Sequence, residues 1–89
     1  MSKIMVEAMT ATIDGWRDMA KVDTQTYKEY GWAKEDLHAE VMAKVGQYRK
    51  LIENLKECGC IYEDQEDELN RILIQDLNEI EDYMDYILG

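Results

Sequence analysis

Apolar side chains recur along this chain at helical spacing. From Leu37 a 4-3-4-3 stride lands on Leu37, Val41, Lys44, Tyr48, Leu51, Leu55 and Cys58. From Leu69 another lands on Leu69, Leu73, Asp76, Ile80, Tyr83 and Ile87. Both read as coiled-coil seams, apolar apart from one charged residue each. Between them lies Cys58-Gly59-Cys60, whose glycine supplies the left-handed stop that ends a helix. Folding back there pairs antiparallel positions whose numbers sum to about 120. Leu37 then falls near Met84, Val41 near Ile80, Tyr48 near Leu73 and Ile52 near Leu69. Lys44 falls level with Asp76, so the two charged interruptions share one layer.

Upstream, Met5, Met9, Ile13, Trp16 and Ala20 mark one stripe of a helix over residues 3–22, although Gly15 costs it about 1 kcal/mol relative to alanine. Asp23-Thr-Gln-Thr26 is rich in capping side chains and predicts a turn, with Thr26 and Glu29 spaced as a capping box. The second helix is then expected over about 27–57, with Gly31 as a signal for a later start at Trp32. Asp64 is the expected cap of a third helix over 64–88, whose first turn carries Glu66, Asp67 and Glu68. The pattern therefore predicts an all-α fold of one domain, residues 1–89: a three-helix bundle built on a long antiparallel hairpin.

The second helix has another apolar side. Trp32, Ala39, Met42, Ala43 and Gly46 cluster opposite the seam, and small residues there let another helix approach closely. This face is expected to be covered by the first helix or by a second copy of the chain.

Composition sharpens the picture through charge. The net charge is −10, distributed unevenly: residues 1–22 are neutral, whereas residues 59–89 hold ten carboxylates against Arg71 alone. Such a surface favours a partner protein with a basic surface and disfavours direct binding of nucleic acid or an anionic membrane. No stretch has the length of a membrane span. The two cysteines, one residue apart, would make a strained disulfide, which points to reduced thiols and a cytoplasmic protein.

Three groups could carry chemistry. Lys44 and Asp76 are expected to form a structural polar layer that fixes the register of the hairpin, in a seam too narrow for a substrate. Glu35-x-x-His38 has the spacing of a helical metal-ligand pair, but with one histidine in the chain no second pair completes it, so neither metal nor cofactor is expected. The third group is the carboxylate face of the last helix: Asp67, Glu68, Glu79, Glu81, Asp82 and Asp85, with Tyr86 as an aromatic anchor. Like charges four apart, such as Glu81 and Asp85, cost stability without local compensation. The sequence thus predicts a non-enzymatic, acidic interaction protein. It would be an inhibitor or adaptor, with mimicry of nucleic acid in a basic site as one form of it; small phage or mobile-element proteins that block host enzymes share this size and charge, an analogy of class. The alternative is a self-assembling helical subunit, a homodimer through the Trp32/Ala39/Ala43/Gly46 face.

Overall fold

The computed structural model describes residues 2–89. Three helices, α1 (Ser2–Tyr30), α2 (Lys34–Glu57) and α3 (Glu63–Leu88), run up, down and up in a rod of 44 × 17 × 15 Å. At 1.5 Å per residue, α1 alone spans about 44 Å, the full length of the bundle. The predicted three-helix bundle is the fold found, and the α2–α3 hairpin has its expected register. Lys34 meets Asp85, His38 meets Glu81 and Lys56 meets Glu66, pairs whose numbers sum to about 120. The parallel α1–α3 pair is the most extensive interface, and α1–α2 the least.

The core follows from α3 lying against both neighbours. Leu69, Leu73, Leu77, Ile80 and Met84 of α3 are buried, against Met9, Ile13 and Ala20 of α1 and Leu37, Val41, Val45 and Ile52 of α2. Ile61, in the α2–α3 turn, plugs one end. A helix touching two partners buries a wider arc than a two-stranded seam. On α2 that arc takes Val45 and Ile52, and leaves Lys44 and Leu51 in solvent.

The first helix boundary differs from expectation. No turn forms at residues 23–26, because the threonines there satisfy their hydroxyls within the helix. Thr24 Oγ1 donates to the Ala20 carbonyl at 2.7 Å and Thr26 Oγ1 to that of Val22 at 3.3 Å. Thr24 is also fully buried, a methyl-bearing core residue rather than a cap. Helix α1 continues to Tyr30 and stops at Gly31, whose φ of 68° is left-handed. The Trp32 amide then donates to the Tyr27 carbonyl (3.0 Å) and the Gly31 amide to that of Lys28 (3.3 Å), the bond pair of a Schellman motif. Its apolar contact is the Trp32 ring, edge-on to Tyr27 with centroids 5.2 Å apart.

The same device closes α2. Gly59 has φ 81°, Cys60 donates to the Leu55 carbonyl (2.9 Å) and Gly59 to that of Lys56 (3.0 Å). Helix α3 begins one residue before the expected boundary, with Tyr62 as the cap residue. The Gln65 side chain accepts the Tyr62 amide at 2.9 Å, and Asp64 lies inside the first turn.

Gly15 and Gly31 should respond oppositely to alanine. Gly15 sits in mid-helix with open space around an added Cβ, so Gly15→Ala is expected to stabilise by about 0.5–1 kcal/mol. Gly31→Ala forces a side chain into a left-handed conformation and is expected to cost about 1–2 kcal/mol. Urea denaturation of the two variants checks both signs.

Candidate functional site

The outer face of α3 is assembled by helical spacing. Asp64, Glu68, Arg71, Gln75, Asn78, Asp82 and Tyr86 follow each other in steps of three or four, and all are exposed. Tyr86 is the most exposed large hydrophobic side chain among the described residues, at 83 %. The stripe is acidic at its two ends and carries a cation and two amides between them. It is therefore two acidic patches rather than one continuous face.

The predicted carboxylates divide into two groups. Asp67, Glu68 and Asp82 are exposed and form no ion pair among the described residues. Glu79, Glu81 and Asp85 flank the outer stripe and meet side chains of α1 or α2. Glu79 meets Arg17 at 3.2 Å and Lys21 at 2.6 Å, both from α1. From α2, His38 Nε2 lies 2.9 Å from Glu81 and the Lys34 ammonium pairs with Asp85. Glu66 also meets Lys56, at 3.4 Å. Much of the charge asymmetry along the sequence is thus complementarity between neighbouring helices. Among the described residues the carboxylates of α3 without an ion pair are Glu63, Asp64, Asp67, Glu68 and Asp82, four of them packed into its first two turns.

The expected Lys44–Asp76 layer is not formed. Lys44 is exposed, because α2 turns Val45 inward in its place. Asp76 is buried as expected, but its cation comes from the other side: Arg17 Nη1 of α1 reaches Asp76 Oδ1 at 3.3 Å. Arg17 also contacts Asp14 (3.5 Å) and Asp18 (3.2 Å), and so ties together a cluster of acids on α1 and α3. Lys21 stacks over the Tyr83 ring at 5.7 Å, and Gln25 donates to the Tyr83 hydroxyl at 2.6 Å. Sequence reasoning overlooked Arg17 and Lys21. Their signal was the four-residue step Arg17-Lys21-Gln25 beside the buried stripe of α1.

Burial, then the neighbouring Asp14 carboxyl, pushes the Asp76 pKa up from 3.8 to about 6, against the opposing pull of Arg17. Its Oδ2 is buried without a hydrogen-bond partner. A proton on Asp76 gives the Asp14–Asp76 pair a hydrogen bond that two ionised carboxylates cannot make.

The small-residue face of α2 stands open. Ala39, Met42, Ala43 and Gly46 are all exposed, and an added Cβ at Gly46 would meet nothing within 4 Å. Helix α1 does not cover them. It leaves instead a groove of about 480 Å³ between α1 and α2, bordered by Trp16, Met19, Val41, Ala43 and Tyr48. Trp32 is placed apart from this face, in the α1–α2 turn, where it stacks on Tyr30 with centroids 5.0 Å apart. Glu35 and His38 do not come together as ligands, since His38 faces Glu81 across the helix pair. Among the described residues no three His, Cys, Asp or Glu side chains are grouped as a metal site, and no helix is long and apolar enough to cross a membrane.

Compared with known proteins, the chain matches no family model, no curated protein and no solved structure.

The Asp76 proton gives a pH signature. A carboxyl that binds its proton more tightly when folded adds stability below its unfolded pKa of 3.8, and that contribution is lost as pH rises through about 6. Relative to Asp76→Asn, which keeps an oxygen for Arg17 but carries no charge, the wild type should lose about 1–3 kcal/mol across this window. Urea titrations of both proteins at a series of pH values measure the difference. Parallel curves would exclude a proton held at Asp76.

Proposed function

We propose that this chain is a small acidic interaction protein that docks on a Lys/Arg-rich surface of a larger protein, as an inhibitor or adaptor. The observation that carries this reading is the cluster Glu63, Asp64, Asp67 and Glu68. These four carboxylates lie in two turns of helix and form no ion pair among the described residues, whereas Glu66, Glu79 and Asp85 of the same helix are paired. Like charges gathered on a helix surface cost stability, and an external cationic surface offsets that cost. Tyr62, 68 % exposed beside the cluster, supplies an aromatic anchor there, as Tyr86 does beside Asp82. A basic nucleic-acid channel is one surface with the required chemistry, and the reducing cytoplasm fits the free thiols of Cys58 and Cys60.

One observation favours a second reading, self-association. Ala39, Met42, Ala43 and Gly46 are uncovered, with Leu51 exposed beyond them. The amino-terminal part of α2 exposes Glu35, Asp36 and Glu40, and its later part Arg49 and Lys50, followed by Glu53 and Glu57. Two copies packed antiparallel through Ala43 would set acids against bases.

Two measurements separate the readings. Affinity capture from extract of the source cells at low salt, followed by a salt gradient, is expected to release a basic protein. The triple variant Asp64→Lys, Asp67→Lys, Glu68→Lys should weaken its retention by tenfold or more, on the order seen for charge-complementary interfaces. Retention unchanged by the triple variant would refute acidic docking. Sedimentation analysis tests the alternative: self-association requires a dimer that Ala43→Glu dissociates, and a monomer at high concentration excludes it.

A further inference from the structure

We propose that Cys58 and Cys60 form a thiol–disulfide exchange site on the α2–α3 turn, passing between a dithiol and an intramolecular disulfide by exchange with small cationic disulfides. The geometry starts with the backbone. Cys58 closes α2 at φ −82° and ψ 0°, and Gly59 reverses the chain at φ 81°. The amides of residues 58, 59 and 60 donate to the carbonyls of Asn54, Lys56 and Leu55, so main-chain bonds hold the turn, and the Cys58 thiol adds only a weak contact of its own, 3.4 Å from the Leu55 carbonyl. In an extended chain, residues two apart share a side but stand too far apart for their sulfurs to meet. Here the left-handed glycine folds them together, with Sγ atoms 2.8 Å apart.

The two thiols are not equivalent. Cys58 is exposed and Cys60 half-buried. The hydrogen bond between them favours the Cys58 thiolate, lowering its pKa, and holds the Cys60 proton, raising its own. Cys58 is thus the attacking sulfur and Cys60 the resolving one.

The reaction balances in two displacements. The Cys58 thiolate attacks one sulfur of R–S–S–R, the S–S bond breaks, and RS⁻ leaves and takes a proton from solvent. Cys60 then loses its proton to solvent and attacks Cys58 Sγ, forming the intramolecular bond and expelling the second RS⁻. One protein dithiol is oxidised and one small disulfide is reduced to two thiols. A ring enclosing a single residue is strained, and it constrains almost no chain entropy, so the product is exchange-labile rather than a structural staple. The turn sits among Glu57, Glu63 and Asp64, while Lys56 is engaged by Glu66, so a disulfide bearing positive charge is attracted to it.

Cystamine, which carries two ammonium groups, is the probe, with acid-quenched mass spectrometry as the readout. The wild type is expected to reach the intramolecular disulfide and retain no cysteamine. Cys60→Ser should stop at the cysteamine adduct on Cys58, and Cys58→Ser should react more slowly in the first step by roughly tenfold. Neither substitution touches the backbone bonds of the turn, and circular dichroism verifies the fold. A wild type that keeps one or two cysteamine groups, or that cross-links to a second chain instead, overturns the proposal.

Discussion

A helix wedged between two others has to bury an arc wide enough to face both, and that constraint on α3 shapes the rest of this molecule. Five apolar residues of α3 lie in the core, more than either partner contributes. The positions at the edges of the buried arc then face the flanks of α1 and α2, and these are where Asp76, Glu79, Glu81 and Asp85 fall. Their partners are Arg17 and Lys21 on one side and Lys34 and His38 on the other. The remaining strip of α3 faces solvent.

These charged contacts differ in worth. Glu79, Glu81 and Asp85 are partly or fully exposed, and pairs of that kind contribute between nothing and about 1 kcal/mol each. They fix which helix lies beside which more than they hold the bundle together. Asp76 is another matter, buried with one oxygen unpartnered and a second carboxyl nearby. Removing a charge from water there costs more than one Arg17 contact at 3.3 Å returns. The stability of the bundle therefore rests on the apolar layers above and below this point, from Ile13, Ile52, Leu69 and Leu73 to Ile80 and Met84.

The hairpin register was legible because it depends only on the turn and on hydrophobic spacing, and Cys58-Gly59-Cys60 fixed the first. The rotation of α2 was not, since a heptad stride assumes one partner helix and here there are two. Lys44 and Val45 are adjacent, and the difference between one partner and two decides which of them is buried. For the same reason the cation of Asp76 was sought on α2 and is found 59 residues away on α1. The α1 boundary was misread because threonine hydroxyls serve equally as caps and as donors to the preceding turn. The better signal was the glycine Gly31, the same left-handed stop that ends α2 at Gly59. Of the carboxylate face, spacing alone identified Asp67, Glu68 and Asp82 as outward; the pairing of the others depends on cations that only the folded arrangement brings near.

The outer stripe of α3 bears on what a basic partner would feel. Between Glu68 and Asp82 it presents Arg71, Gln75 and Asn78, fourteen residues of helix or about 21 Å with no outward acid in line. That gap exceeds the Debye length of about 8 Å at physiological ionic strength, so the two patches act as separate electrostatic centres. The turn end holds Glu63, Asp64, Asp67 and Glu68 within about 8 Å of helix axis, whereas the far end holds Asp82 alone among the unpaired acids of α3. Attraction to a cationic surface is consequently concentrated at the end where α2 turns into α3. For a basic partner, contact along the rest of the rod would depend on Tyr86 and on hydrogen bonds to the amides, which are short-ranged and would act only after the charged end had engaged.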